Sequence, residues 1–367
     1  MESMLRRLIS TLLAAIAILV LVELGLRFVA PIRHSLAVEY EPDGYVRTRL
    51  APNRSYHLPS GGSVRINAWG FRGPVFEIKK PAGVFRIVAL GGSSTFCFEA
   101  DDAKIWTALL QEKLRAATGT AVEVINAGVP GYSAFESKLH YLYRIRNLAP
   151  DAVILYHTWN DLKYFHEIEE DFRDGELRRS SSYDPEPLKQ FLRHFQLAWR
   201  ARALAQRFGL HEAREDRAAH SSDTELPIPE GGAAHRWVRQ NFDDLTHWLL
   251  RDGALPILIT EASLISEQTI ADSQTRAAIH VEYQTLDHAE VLAQWQVMRR
   301  LLREVAAEHG VPFVDAYAQV PHSLEYFFDH VHLTEAGNAR LAEVLAEALL
   351  ADPIFRSRRA RANFTGD

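Results

Sequence analysis

Four separated stretches of this chain carry residue types that could act on one another chemically. The first is Arg86-Ile-Val-Ala-Leu-Gly91-Gly92-Ser93-Ser94-Thr95. A serine at a strand-to-helix turn, preceded by glycines that allow a sharp backbone path, is where an open α/β sheet presents a nucleophile. Glycine-rich turns also cradle phosphates, but a dinucleotide loop needs G-x-G-x-x-G and a P-loop ends in Gly-Lys-Ser/Thr, and neither is present at this turn. A serine hydroxyl needs a base to take its proton. Asp329-His330-Val331-His332-Leu333-Thr334 offers one: Asp329 and His332 are three apart, so the carboxylate can hold the imidazole in its useful tautomer and His332 can act as the base. A helix cap or a metal site through His330 and His332 is the alternative for this pair, but no third ligand run and no H-E-x-x-H accompanies it. No metal or cofactor is expected.

Attack on a carbonyl also needs donors for the oxyanion. Asn126-Ala-Gly128-Val-Pro-Gly131-Tyr-Ser133 and His157-Thr158-Trp159-Asn160-Asp161 each follow an apolar run. A Gly131 N–H and the Asn160 side-chain N–H could converge beside Ser93. Cys97, between Phe96 and Phe98, could pair with His332 as a thiol nucleophile but reads as a small buried residue. His157 reads as a core histidine, and Arg356, Arg358, Arg359 and Arg361 as a solvated basic end.

The elements that must position these groups follow from periodicity. Strands are expected at Val84–Leu90, Val122–Asn126, Ala152–His157, Leu255–Thr260 and Val311–Asp315, with helices at about 102–117, 133–149, 234–252, 286–309 and 334–350. This alternation is that of a parallel sheet covered on both faces, with all four stretches on its carboxyl edge. Ser133 and Glu136 form a capping-box pattern ahead of an apolar face of Phe135, Leu139, Leu142 and Ala149. Leu292, Trp295, Met298, Leu302 and Val305 make a core stripe. Residues 36–83 read as a stem and small β-rich cap.

The chain has 367 residues, 47% apolar and 24% charged, enough to bury a large core. Its formal charge of −6 gives no field to hold nucleic acid, and one cysteine excludes an intramolecular disulfide. Leu8 to Val22 carries no charge. Continued to Ala30 the run reaches about 34 Å as a helix, enough to span a bilayer, with Glu23 and Arg27 able to pair at i, i+4 near the interface. No A-x-A-like small-residue cleavage site follows the apolar run before Pro31, so an uncleaved anchor within residues 1–35 is expected. Arginine counts on the two sides do not set its orientation. Residues 162–233 are an insertion with a basic amphipathic segment, Leu188 to Trp199, which most simply packs on its own domain.

Taken together the blocks resemble the SGNH/GDSL hydrolase superfamily, whose motifs supply a serine, a glycine, an asparagine and a histidine in this order. Leu-Gly-Gly-Ser93, Gly131, Trp-Asn160-Asp and Asp329-His-Val-His332 match, over roughly residues 84–350. The departures are Gly92, where the named pattern has aspartate, and Cys97, where looser members often have glycine. The resemblance implies a flavodoxin-like three-layer α/β sandwich with a five-stranded parallel sheet over 84–351, followed by a basic tail at 352–367. It implies Ser93, Asp329 and His332 as catalytic residues, with the Ser93 and Gly131 N–H groups and Asn160 as the oxyanion hole. The expected activity is a serine esterase acting on an acetyl or short-chain O-acyl ester, carried by a carbohydrate or lipid. An O-acyltransferase modifying a cell-envelope polysaccharide and a non-catalytic envelope binding protein are the alternatives. The anchor and the Asn67-Ala-Trp-Gly-Phe-Arg72 stretch look like membrane-tethered members, which implies a single-pass cell-membrane protein with its catalytic domain outside.

Overall fold

The computed structural model describes residues 2–29, 38–58, 62–165, 197, 231–272, 275 and 288–362. The chain divides into two compact units, residues 1–37 with 184–222 and residues 38–183 with 223–367.

The first unit contains α1, Glu2–Val29. Its Leu- and Ala-rich composition favours a helix, and the hydroxyls of Ser10 and Thr11 return to carbonyls one turn back. Glu23, expected to pair with Arg27, accepts the Leu197 N–H at 2.9 Å. The Arg27 side chain lies outside the described residues, as does all of the 188–199 segment but Leu197. Side chains are described for only part of α1, and among the described residues no helix is long and apolar enough to cross a membrane.

The second unit opens with two antiparallel hairpins, β1 (Tyr40–Asp43) with β2 (Arg47–Leu50) and β3 (Arg54–His57) with β4 (Ser63–Ile66). Five parallel strands follow: β5 (Phe85–Gly91), β6 (Val122–Gly128), β7 (Ala152–His157), β8 (Leu255–Thr260) and β9 (Phe313–Val314), in the order β6-β5-β7-β8-β9. Every position of β5, β7 and β8 is buried, as continuous apolar runs covered on both faces require. The strand order reverses beside β5, and the crevice at the carboxyl ends of such a switch is where an open α/β sheet binds its ligands. β9 is shorter than its apolar run suggests. The Val311 N–H is taken by the Ala306 carbonyl at the end of the preceding helix, Pro312 has no N–H, and Asp315 begins the next turn.

Helix α2 (Ser93–Phe96) follows β5, and α3 (Trp106–Thr118) leads to β6. α4 (Ala134–His140) follows β6 and α5 (Trp159–Phe165) follows β7. α6 (Ala233–Arg251) precedes β8, and α7 (Glu267–Ala271) and α8 (His288–His309) precede β9. α9 (Ala316–Gln319), α10 (Glu335–Ala351) and α11 (Pro353–Ala362) complete the described residues. α3 packs on α10, while α6 packs on α4 and α8, giving the two helical layers. The α8 stripe of Leu292, Trp295, Met298, Leu302 and Val305 is buried.

The helix after β6 departs from expectation. Its capping box forms, with the Ser133 N–H donating to Glu136 Oε2 at 2.9 Å, but the buried face is Ala134, Ser137, His140, Tyr141, Ile145 and Leu148. A π-helical turn at Tyr141–Ile145 adds a residue to the repeat and rotates the side chains beyond it. The stretch read as a solvated basic end is helical, and Phe355 on it is fully buried, edge-on to Phe85 with ring centroids 5.4 Å apart.

Candidate active site

Ser93 is the first residue of α2, directly after β5. Its Oγ lies 2.8 Å from His332 Nε2, across 239 residues of sequence. His332 Nδ1 lies 2.7 Å from Asp329 Oδ2. With Nδ1–H donating to the carboxylate, Nε2 is left to accept the Ser93 proton. The other carboxylate oxygen accepts the Val331 and His332 N–H groups at 2.9 and 2.8 Å, fixing the loop that carries the imidazole. Burial alone would raise the Asp329 carboxyl, but the hydrogen bond and charge of His332, the charge of His330 and the Val331 N–H outweigh it and hold it well below the usual range. Phe98 stands edge-on to the His332 ring at 5.9 Å.

The two donor blocks converge on the same turn. Asn160 Nδ2 gives one hydrogen to the Tyr132 carbonyl at 2.9 Å, and a second remains on that nitrogen. Gly131 has φ +88°, a left-handed conformation that turns the chain sharply into Tyr132. At Gly92, an added Cβ would lie 2.4 Å from Asn160 Nδ2 and 3.0 Å from the Tyr132 carbonyl oxygen. Glycine at 92 is what lets the asparagine sit this close to the serine turn in this chain. Asp161, buried, accepts the Ala134 N–H at 2.9 Å and ties the asparagine block to the helix after the glycine block. Asn126 donates to the Thr95 carbonyl at 2.6 Å and accepts the Gly128 N–H at 3.0 Å, tying the glycine block to the serine block.

The remaining chemical candidates fall away from the reaction. Cys97 is buried, and desolvation pushes its thiol up to about 12 despite the nearby Arg72 charge. Its φ of +62° places it in the left-handed region that glycine occupies without strain. His157 is buried, and that burial lowers it to about 3, so it is neutral. His330 packs against the Trp159 ring, tilted by 55° with centroids 4.1 Å apart. Among the described residues no group of three or more His, Cys, Asp or Glu side chains is placed to hold a metal ion.

Two supporting residues are not evident from sequence. Arg72, fully buried, donates to the carbonyls of Phe96, Cys97 and Ala100 and pairs with Asp102 at 3.3 Å, so it grips the loop leaving the nucleophile turn. Its signal is the 67–72 stretch, whose likeness to tethered members assigns it no role. Glu261, just past β8, is buried and accepts the Trp159 N–H at 2.6 Å. Nothing in its local sequence marks it.

A family profile for GDSL-like lipases/acylhydrolases matches residues 87–345. The chain belongs to this family of serine esterases, the class that its fold and blocks define. A comparison with curated proteins gives no match. Among solved structures, it is similar to LAE5, an alpha/beta hydrolase from the metagenome of Lake Arreo, at 18% identity and a TM-score of 0.42, covering 74% of this chain and 97% of that one. A catalytic variant of the acetylxylan esterase Axe2 from Geobacillus stearothermophilus matches at 15% identity and 0.41, covering 74% and 95%. A lipolytic protein of the G-D-S-L family from Desulfitobacterium hafniense matches at 12% and 0.41, covering 72% and 99%.

Proposed function

We propose that this esterase is membrane-anchored and cleaves an acetyl or short-chain O-acyl ester of a carbohydrate or lipid, with Ser93 as nucleophile, His332 as base and Asp329 as its orienting carboxylate. The observation that carries the reading is the unbroken hydrogen-bonded chain from Ser93 Oγ through His332 to Asp329. Ser93 Oγ attacks the carbonyl carbon as His332 Nε2 takes its proton. The Ser93 and Gly131 N–H groups and the second Asn160 N–H stabilise the tetrahedral oxyanion, each donor being worth about 3 kcal/mol in comparable sites. The imidazolium then protonates the leaving alkoxide, and the acyl-serine passes to water. The same acyl-serine could pass to a sugar hydroxyl, which would make the chain an O-acyltransferase. Mass spectrometry after incubation with a short-chain p-nitrophenyl ester should find an acyl adduct on Ser93. If an added glycan shortens the adduct's life while becoming acylated, transfer replaces hydrolysis, and an adduct on any other residue overturns the nucleophile.

The anchor is supported by the uncharged run from Leu8 to Val22 and by the apolar side chains of Leu13, Ile18, Leu19, Val20, Leu21, Val22 and Leu24, which α1 leaves exposed. At 1.5 Å per residue a helix of 28 residues is about 42 Å long. The intact chain should fractionate with membranes and resist carbonate extraction. Residues beyond about 40 should be open to protease added from the outer side. Protection there would keep the anchor and reverse the orientation.

A further inference from the structure

We infer that Glu261 is a positioning residue of this site, holding the turn that carries Asn160 and placing a buried negative charge within electrostatic reach of His332. The inference rests on the assignment of His332 and Asn160 to the ester reaction.

The geometry begins at the backbone. Trp159 and Asn160 open α5, where first-turn N–H groups have no partner within the helix. Glu261 Oε2 takes the Trp159 N–H at 2.6 Å, so the residue next to the oxyanion donor is bolted to a carboxylate on the neighbouring strand end. The bolt is itself braced. The Glu261 N–H points at Thr158 Oγ1 at 3.4 Å, the Trp295 indole donates to the Glu261 carbonyl at 3.1 Å, and the next N–H, of Ala262, donates to the Tyr156 hydroxyl at 3.1 Å. The Ser94 hydroxyl lies beside the carboxyl, outside strict hydrogen-bond geometry. A carboxylate 4% exposed, with no arginine or lysine ion pair among the described residues, is costly to bury.

Its charge has one mobile counterpart. The titratable groups around it are His332, whose charge favours ionised Glu261, and Tyr156, whose phenol burial keeps protonated. Burial raises Glu261 to about 7, against the pull of the Ser94 hydroxyl, the Trp159 N–H and the His332 charge. Near neutrality, therefore, the carboxylate is available in its ionised form when the histidine takes the serine proton and becomes positive. An ionised Glu261 stabilises the imidazolium that forms and strengthens the hydrogen bond holding the Asn160 turn.

The test is the pH dependence of p-nitrophenyl ester turnover by the full chain in detergent, for wild type and Glu261→Gln. Glutamine can still accept the Trp159 N–H, so a purely structural bolt leaves the pH profile unmoved. The expected wild-type acid limb is steeper than one proton. In Glu261→Gln it becomes a single-proton limb displaced to lower pH, with plateau kcat lowered three- to tenfold and KM within twofold. Superimposable profiles overturn the inference. If the variant does not fold, a wild-type limb of one proton overturns it and a steeper one supports it. An acyl adduct on Ser93 with unchanged profiles sinks only Glu261, whereas absence of the adduct sinks the ester mechanism as well.

Discussion

At the scale of single residues, the roles assigned to the site predict a hierarchy of loss. Ser93→Ala and His332→Ala should each cost about 10⁶-fold in kcat, and Asp329→Asn about 10⁴-fold, since it orients and does not react. Circular dichroism should show all three folded. Full activity in Ser93→Ala would refute the assignment. Gly92→Ala is a sharper probe: its methyl must displace Asn160 Nδ2 or the Tyr132 carbonyl. Loss of one oxyanion donor lowers kcat by about 10²-fold with little change in KM. Steady-state kinetics that show KM alone rising would place Asn160 outside the reaction. Cys97→Ala should retain turnover, because its thiol is buried and protonated.

At the scale of elements, the nucleophile loop depends on a segment far from it in character. Arg72 leaves no room for a conservative replacement: three carbonyls and Asp102 share one buried guanidinium. Arg72→Leu strands the three carbonyls and leaves Asp102 to Arg65 alone, and a buried acceptor left unsatisfied costs about 1–3 kcal/mol. Urea denaturation should show that loss, and an unchanged midpoint would mean the loop holds itself. This is also where the sequence was least readable. Ser93, Gly131 and Asn160 were legible because each follows the end of an apolar run, and strand ends on one edge must lie together; Asp329 and His332 were legible from their spacing of three, well past the end of β9. Arg72 and Glu261 were not, because a buried charge is recognised by what surrounds it, and those carbonyls and N–H groups come from other parts of the chain. The π turn after α4 was hidden for a related reason. Its apolar residues fit a regular helix on paper, and tertiary packing of Ser137 and His140 selected the other face.

At the scale of the whole molecule, the Asp329 and Glu261 carboxyls should pull stability in opposite directions with pH. Asp329 is held below its ordinary value, so its contribution is full above about pH 4 and is lost as pH falls further. Glu261 is raised from 4.5 to about 7, so its contribution is full below pH 4.5 and is lost as pH rises towards 7. Denaturation midpoints between pH 5 and 8 should therefore decline less in Glu261→Gln than in wild type. Parallel curves would show that the burial of Glu261 carries no linked proton.

The order of the strands has a consequence for how the chain can be divided. Ser93, Gly131 and Asn160 all precede Phe165, while Glu261, Asp329 and His332 all follow Gly231. Within the sheet the two groups meet along a seam where β7 pairs with β8, from Ala152 opposite Leu255 to His157 opposite Thr260, and in the helical layers where α3 packs on α10 and α4 on α6. Nucleophile and oxyanion donors thus belong to one half of the molecule and the base to the other. Neither half can hydrolyse an ester, yet each ends at the seam with a buried, unpaired edge that only its complement fits. Fragments 38–165 and 231–367, produced together, should reassemble into an active esterase whose turnover depends on the concentration of the scarcer piece.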